Sequence, residues 1–172
     1  MGLGSAYKDG LKLCSGNIIV EMDADLSHDP REIIVLVKAL ETADMVVGSR
    51  YVNGGMIVGW TWYRRAISST ANHIGRLLLG LKVKDVTSGF RAYHRCVFER
   101  IVSGSCFDGY DFQVEAVHTA SKLGFKIVEV PITFFDRRRG KSKLSLSEIF
   151  TFLKAVITVR FWSRREGCES AR

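Results

Sequence analysis

Several common protein classes are excluded by what the sequence lacks. The four cysteines never form a CxxC pair, and no histidine stands at zinc-ligand spacing from them. Neither GxGxxG nor GxxxxGK followed by Ser or Thr occurs, so the glycine patterns of dinucleotide-binding folds and P-loop enzymes are absent. No uncharged apolar run approaches the roughly 18 residues that span a bilayer. We therefore expect a reduced, cytosol-facing protein, and the opening MGLGS predicts no signal peptide.

The composition is that of a folded, basic domain. The chain has 172 residues, of which 47% are hydrophobic, enough for a substantial core. Its formal net charge of +7 predicts an anionic partner, and charge alone does not choose among nucleic acid, a phosphorylated substrate and an acidic lipid surface. The aromatic residues cluster in apolar runs and do not alternate with the basic stretch, which disfavours nucleic acid.

Hydrophobic periodicity predicts alternating strands and helices. A strand at 17–22, a helix over about 31–42 opened by Pro30, and a strand at 44–49 form a strand–helix–strand unit typical of a parallel sheet. The other predicted elements are a helix at 4–15, a glycine-rich mobile loop at 50–60, a helix at 62–80, a strand at 89–93, a helix at 111–123, a strand at 125–135 with Pro131 marking an edge or bulge, a basic loop at 136–143 and an apolar helix at 147–162. The pattern predicts an α/β fold.

The predicted helix at 62–80 has two contrasting faces. The apolar face consists of Tyr63, Ile67, Ile74, Leu78 and Leu81. The polar face consists of Arg64, Ser68, Asn72 and Arg76. Arg64 and Ser68 are four residues apart, so one face of the helix presents both. From spacing alone, a solvated polar face opposite the apolar stripe is the favoured interpretation.

Two aspartates follow the first predicted strand. In an extended chain Asp23 and Asp25 point the same way, so the pair can bracket one cation. Carboxylate oxygens suit Mg²⁺ or Mn²⁺, and a cation at the end of a strand could neutralise a diphosphate leaving group. The alternative is a turn that ends the strand and caps the next helix, because Asp and Ser are good cap residues.

Six motifs occur together in a recognisable order. They are MDADLSH, VGSRY, the GG loop with GW, TSGFR, GYDFQVE and VPITFFDRRRGKSKL. From about Leu3 to Phe161 the chain resembles the dolichol-phosphate mannosyltransferases, a branch of glycosyltransferase family 2. The resemblance implies a GT-A type α/β core with a mostly parallel sheet, as a partial domain over 1–146 followed by a C-terminal apolar or interfacial helix and tail over 147–172. Family members begin with strands and base- and ribose-binding residues that have no counterpart here.

The resemblance also implies an activity. It is metal-dependent, inverting transfer of mannose from GDP-mannose to dolichyl or polyprenyl phosphate, with Mg²⁺ or Mn²⁺, which supplies a lipid-linked donor for protein glycosylation. Asp23 and Asp25 resemble the metal- and diphosphate-binding acids, of which Asp25 is the favoured direct ligand. Arg50 and Arg64, with Ser68, resemble the cradle for the acceptor phosphate.

Further site residues are implied by the same resemblance. Gln113 and Glu115 resemble a sugar-pocket element, although they share a face only in an extended chain, and an ordinary helix start is the alternative. Arg137 and Lys143 match family positions in the basic loop, which could close over the nucleotide diphosphate. That loop also fits a solvated charge run or a patch for lipid headgroups.

The expected partners include a membrane surface at the cytosolic side, of the endoplasmic reticulum in a eukaryote or the plasma membrane in a prokaryote, and small transmembrane anchor subunits. The last helix suits an interfacial position, with burial against the domain as the alternative. The apolar glycine loop, with Ile57 and Val58, is expected to touch the lipid end of the acceptor. Two other functions stay open: transfer of glucose or another sugar, and a non-catalytic basic module at the membrane surface.

Overall fold

A computed structural model describes residues 2–105, 107–109, 111–136 and 152–161. The helices are α1 (Leu3–Leu13), α2 (Ile33–Ala39), α3 (Trp62–Leu79), α4 (Arg95–Ser103) and α5 (Asp111–Lys122), with a 3-10 turn over Pro30–Glu32 before α2. Residues 152–161 form a further helix, α6. The strands are β1 (Ile18–Glu21), β2 (Met45–Ser49), β3 (Met56–Val58), β4 (Arg91–His94), β5 (Ile127–Pro131) and β6 (Thr133–Phe135).

The main sheet has the strand order β1-β4-β2-β5. β5 pairs parallel with β2, whereas β4 lies antiparallel between β1 and β2. The predicted strand–helix–strand unit therefore exists, but its two strands are separated by a later, reversed strand. Because β1, β2 and β5 run in the same direction, their carboxyl ends meet at one edge of the sheet, where ligands of α/β proteins bind.

The glycine-rich stretch at 50–60 is partly a strand, which corrects the expectation of a mobile loop. β3 pairs parallel with β6 in a second, two-stranded sheet. Gly55 permits the turn before it, because a Cβ there would lie 2.7 Å from the carbonyl oxygen of Ser49. The predicted strand at 125–135 is likewise two strands that part at Ile132, and β5 lies at a sheet edge as Pro131 suggested.

Apolar side chains cover both faces of the main sheet. On one face, α2 packs on Val46, Phe90 and Ala92. On the other face, α1, α4 and α5 pack around Met45, Val47 and Tyr93. The periodicity analysis did not predict α4, which buries Val97, Phe98 and Ile101.

Helix α3 has the reverse orientation to the one expected from its pattern. The polar residues Arg64, Ser68 and Asn72 are turned toward the protein together with Gly75 and Leu79, and Asn72 is 2% exposed. The exposed large side chains of the helix are Trp62, Tyr63, Ile74, Leu77 and Leu78. One reason lies at Gly75, where a Cβ would be 2.9 Å from the ring of Phe152 in α6, so α6 occupies the inner side of α3. The interpretation of Arg64 and Ser68 as a solvated face is therefore wrong.

Helix α6 is divided between core and surface. Ala155, Val156 and Val159 are buried, whereas Ile157 and Phe161 are exposed. One face of α6 thus packs against the domain, which agrees with burial, the second of the two interpretations of this helix. Over the described ranges, the helices are too short or too polar for any of them to traverse a bilayer.

Candidate functional site

Asp23 stands at the carboxyl end of β1, close to the backbone of the loop before β4. A Cβ on Gly89 would lie 2.7 and 2.8 Å from the two carboxylate oxygens of Asp23, so any larger residue here would displace that carboxylate. Oδ2 of Asp23 lies 3.3 Å from Nε2 of His28, which is 5% exposed. Sequence analysis assigned His28 no catalytic role, and in the structure it is the buried neighbour of Asp23.

Asp25 forms a turn at the same strand end. Its Oδ1 accepts a hydrogen bond of 3.0 Å from the backbone N–H of Ser27. The residue between them, Leu26, has a φ of 66° and is 69% exposed. The turn that the sequence offered as an alternative is therefore present, although Asp29 and not Asp25 caps the helical turn that follows.

Arg50 follows β2 directly and is held by a buried carboxylate. Its Nε and Nη2 each donate a 2.7 Å hydrogen bond to Asp85, and Nη2 also reaches Thr87. The side chains of Arg50 and Asp85 are 8% and 0% exposed. Burial alone would raise the pKa of Asp85, but the charge and hydrogen bonds of Arg50 outweigh burial and lower that pKa.

Arg64 lies on the inward face of α3 and pairs with a more accessible acid. Its Nη1 donates to Oδ1 of Asp136 at 2.8 Å, and the Asp136 side chain is 36% exposed. The Cζ atom of Arg64 lies 4.1 Å from the centre of the Trp60 ring, a cation–π contact. One turn further along α3, Ser68 accepts a 2.7 Å hydrogen bond from the hydroxyl of Tyr51.

Asn72 connects the inward face of α3 to the loop before β4 through hydrogen bonds. Its Nδ2 donates to the carbonyl of Ser68 at 3.0 Å and to the hydroxyl of Thr87 at 3.1 Å. Its Oδ1 accepts from the backbone N–H of Val86 at 2.9 Å. Since Thr87 also contacts Arg50, the chain of hydrogen bonds joins α3 to Arg50.

Aromatic rings connect the acidic end of β1 with the two arginines. The ring of Phe134 lies 5.3 Å from that of His28, 5.5 Å from that of Trp60 and 5.3 Å from the Cζ of Arg50. The backbone N–H of Phe135 also donates to the carbonyl of Ser27. The structure thus gathers five sequence-predicted residues around β6 at one end of the sheet: Asp23, Asp25, Arg50, Arg64 and Ser68.

Of the other predicted residues, two lie on a helix of the core and two lie outside the described residues. Gln113 and Glu115 lie on α5 and are 3% and 5% exposed, so the extended chain that would let them share a face is not formed. Nε2 of Gln113 donates to the hydroxyl of Tyr7, and Glu115 accepts from Ser105. Their sugar-pocket role stays a prediction. Arg137 and Lys143 lie outside the described residues.

A buried polar cluster underlies Asp23. Glu21 is 3% exposed and accepts a 3.0 Å hydrogen bond from the hydroxyl of Tyr93. Burial raises the pKa of Glu21 to about 7, although the charge of Arg91 opposes the shift. Arg91 is fully buried and donates to the carbonyls of Val86 and Gln113, so it supports the site from within the core.

The pKa of Glu21 predicts that stability falls as pH rises from about 4.5 to 7. Between these pH values the native state still holds this proton, whereas the unfolded state has released it. Each rise in pH therefore favours the unfolded state and lowers the free energy of unfolding. We expect Glu21→Gln to remove this dependence and to raise the free energy of unfolding by about 3 kcal/mol at pH 8. Urea unfolding at pH 5.5 and 8 measures both effects, with Glu99→Gln on the exposed side of α4 as the control. Parallel pH curves for wild type and Glu21→Gln would contradict the prediction.

Sequence reasoning missed the residues that hold the arginines. Asp85 precedes the TSGFR motif by one residue and carries no signal except its charge, and Trp60 stood out only as part of an apolar loop. Tyr51 lies in the VGSRY motif directly after Arg50. A charged residue next to a motif is a weak signal, because most such residues are solvated.

The acids fit a divalent cation that is shared with a substrate. No group of three or more His, Cys, Asp or Glu side chains suited to a metal occurs in the part of the chain that the structure describes. Two carboxylates at one strand end suit the usual coordination of Mg²⁺, which is bound by one or two carboxylates together with phosphate oxygens and water. Asp23 and Asp25 would hold such an ion only together with a diphosphate.

This combination of an α/β sheet, paired acids at a strand end and inward arginines is that of a nucleotide-sugar transferase, and the sequence agrees. The family model "Glycosyl transferase family 2" matches residues 1–102, and the chain belongs to this family. It is 44% identical to the polyprenol monophosphomannose synthase of Mycolicibacterium smegmatis, over 99% of this chain and 65% of that protein. It is 41% identical to the undecaprenyl-phosphate mannosyltransferase of Micrococcus luteus, over 99% of this chain and 71% of that protein. The chain thus spans about two thirds of the length of these curated relatives.

Solved structures agree with the fold. The glucosyl-3-phosphoglycerate synthase of Mycobacterium tuberculosis, solved in complex with Mn²⁺, uridine diphosphate and glucosyl-3-phosphoglycerate, superposes with a TM-score of 0.65. The match covers 92% of this chain and 53% of that one, at 21% identity. The predicted GT-A type fold is confirmed by this similarity.

Proposed function

We propose that this chain carries the site for transfer of mannose from GDP-mannose to a polyprenyl phosphate. The observation that carries the proposal is the placement of two acids and two arginines around β6 at the carboxyl edge of the sheet. Acids of this kind suit a metal-bound diphosphate, and arginines suit a phosphate acceptor. Both curated relatives have names that describe mannosyl transfer or a mannosyl product with a polyprenyl carrier.

The chemistry needs little proton transfer. The phosphate of the acceptor is ionised near neutral pH, so its oxygen can attack the anomeric carbon without a general base. The bond from that carbon to the acceptor oxygen forms as its bond to the leaving diphosphate breaks, with inversion. Arg64 and Ser68 would orient the attacking phosphate, and buried Arg50 would add positive charge beside it. A Mg²⁺ or Mn²⁺ ion bound at Asp23 and Asp25 supplies neutralisation of the diphosphate charge.

The outer face of α3 supports a membrane position for this site. Trp62 and Leu77 are 80% and 65% exposed, and Tyr63, Ile74 and Leu78 are exposed beside them. The helix contains three arginines and no acidic residue. An apolar face with aromatic residues and positive charge suits the interface of an anionic bilayer, where a lipid acceptor resides. We place the site at the cytosolic face of a membrane, with small transmembrane anchor subunits as further candidate partners.

Charging the outer face of α3 should weaken membrane binding. We expect the double variant Leu77→Glu, Leu78→Glu to lose most of its sedimentation with vesicles that contain anionic lipid, because two apolar contacts become repulsive charges. Leu13→Glu makes the same change at a side chain that is 89% exposed on α1, and it should sediment like wild type. Equal loss in both variants would mean that charge alone, and not this face, governs binding.

A transfer assay tests the proposed function. Purified chain with Mn²⁺ is given a polyprenyl phosphate and either GDP-mannose or UDP-glucose, with Arg64→Ala in parallel. Mannosyl lipid formed by wild type and lost in Arg64→Ala supports the proposal. Glucosyl lipid would favour the glucosyltransferase alternative. No transfer from either donor, with vesicle binding intact, would favour the non-catalytic module at the membrane surface.

A further inference from the structure

The two arginines of the site differ in how firmly they are held. Arg50 makes a two-pronged contact with Asp85, whose side chain is 0% exposed. Arg64 is bound through Nη1 to Asp136, whose side chain is 36% exposed. The second pair is therefore more accessible to water and ions than the first. Separating a buried pair leaves a charge without compensation, whereas an accessible pair exchanges partners at little cost.

The backbone places the Asp136 carboxylate against Arg64. Asp136 continues the β3–β6 ladder by one residue, since its N–H donates to the carbonyl of Val58 at 2.9 Å. Gly59, with a φ of 89°, makes room for it, because a Cβ there would lie 2.9 Å from the Cβ of Asp136. The indole of Trp60 covers the guanidinium of Arg64 from another side. The position of this acid is therefore set by the fold.

We propose that Asp136 is an internal anion that occupies Arg64 until a phosphate-bearing ligand displaces it. The proposal rests on the proposed function, in which Arg64 contacts the acceptor phosphate. A phosphate monoester carries a charge of about −1.5 to −2 at pH 7 and three acceptor oxygens, whereas a carboxylate carries one charge and two oxygens. A phosphate therefore competes successfully for the guanidinium, and weaker monoanions do not. Competition with Asp136 thus lowers the affinity of Arg64 for every anion and leaves phosphate as the anion that binds. Arg50 stays paired with Asp85 throughout.

Displacement of Asp136 has a consequence along the chain. Asp136 directly precedes the basic stretch that begins at Arg137. Through β6 it also connects with the acidic loop, because Phe135 is hydrogen-bonded to Ser27. Arrival of an acceptor phosphate is thereby linked, through β6, to the loop that carries Asp23 and Asp25.

Removal of the internal anion should strengthen phosphate binding. The test titrates the full chain with inorganic phosphate and with a short, water-soluble prenyl phosphate. Binding is followed by tryptophan fluorescence in a background in which Trp62 and Trp162 are replaced by Phe, so that the signal comes from Trp60 on Arg64. We expect Asp136→Asn to bind both probes several-fold more tightly than wild type. Asp136→Glu, which keeps the carboxylate, should restore affinity close to wild type. Asp108→Asn removes an equal charge from the pair that Asp108 forms with Lys8 of α1, and it should bind like wild type.

The remaining outcomes separate this proposal from the proposed function. If Arg64→Ala loses phosphate binding while Asp136→Asn binds no more tightly than Asp108→Asn, Asp136 is not a competitor and the inference is overturned, whereas the acceptor role of Arg64 stands. If Arg64→Ala binds both probes like wild type, or wild type binds neither, the phosphate site itself is misplaced and both proposals fail. Thermal unfolding of each variant establishes that it is folded before the titrations are compared.

Discussion

Asp25→Asn should abolish metal-dependent binding of a nucleoside diphosphate sugar and leave the fold unchanged. The substitution is nearly isosteric, and the Asn side-chain oxygen can still accept the hydrogen bond from Ser27 that forms the turn. What it removes is the negative charge that would attract a cation. Loss of a residue behind the metal ligands usually reduces affinity 10–100-fold, so loss of a direct ligand should exceed about 100-fold.

The measurement for Asp25 has two readouts besides turnover. Calorimetric titration with GDP-mannose is carried out with and without Mn²⁺, and electron paramagnetic resonance reports free Mn²⁺ directly. Asp29→Asn is the matched control, since Asp29 lies four residues further in the same loop and also accepts from a backbone N–H, that of Arg31. If metal-dependent binding persists in Asp25→Asn and disappears in Asp29→Asn, the cation is bound by Asp29, and the assignment to Asp25 is wrong.

Asp85→Asn should be the most destabilising single change in the site. It leaves the guanidinium of Arg50, whose side chain is 8% exposed, in the core without a countercharge. Breaking a buried pair by removing one partner costs about 3–5 kcal/mol of unfolding free energy. Urea unfolding followed by circular dichroism measures the loss, and Glu99→Gln, which breaks the exposed Arg95–Glu99 pair, should show little change.

The same pair makes stability fall in acid. Despite the opposing effect of burial, Arg50 lowers the pKa of Asp85, so the native state releases this proton more readily than the unfolded state. Its contribution is complete above the ordinary aspartate pKa of about 3.9 and disappears as pH falls through the lowered native value. Asp85→Asn should flatten the acid limb of the wild-type stability profile. An unchanged acid limb would show that another carboxylate produces it.

The sequence predicted most elements of the fold because their patterns are local. β1, β2 and α5 appeared close to the expected bounds, since each has a continuous apolar run or a clear helical period. The order of strands was different, because β4 enters between β1 and β2 from 40 residues further along the chain. Pairing between distant segments leaves no mark in a local pattern. For the same reason β3, a three-residue strand whose partner is β6, looked like a loop.

Helix α3 shows where reasoning from amphipathicity fails. An apolar stripe normally faces the core, which made Arg64, Ser68 and Asn72 look solvated. Here Asn72 bonds Val86 and Thr87, and Gly75 receives Phe152, so the polar stripe is the buried one. Only the family resemblance placed Arg64 and Ser68 in a site, and the structure brings them beside Arg50. The same resemblance did not anticipate that Gln113 and Glu115 would be buried on α5.

The thickness of α3 sets a height for the reaction. An α-helix with its side chains is about 10–12 Å across, and at 3.6 residues per turn Arg64 lies about 140° around α3 from Leu77. With the outer face of α3 resting on a bilayer, a lipid phosphate must rise by roughly that distance to meet Arg64. Each five-carbon isoprene unit drawn into water would cost about 4 kcal/mol. The exposed rings of Trp62 and Tyr63, beside Arg64 at the start of the helix, are placed to cover the first units of the rising chain and reduce that cost.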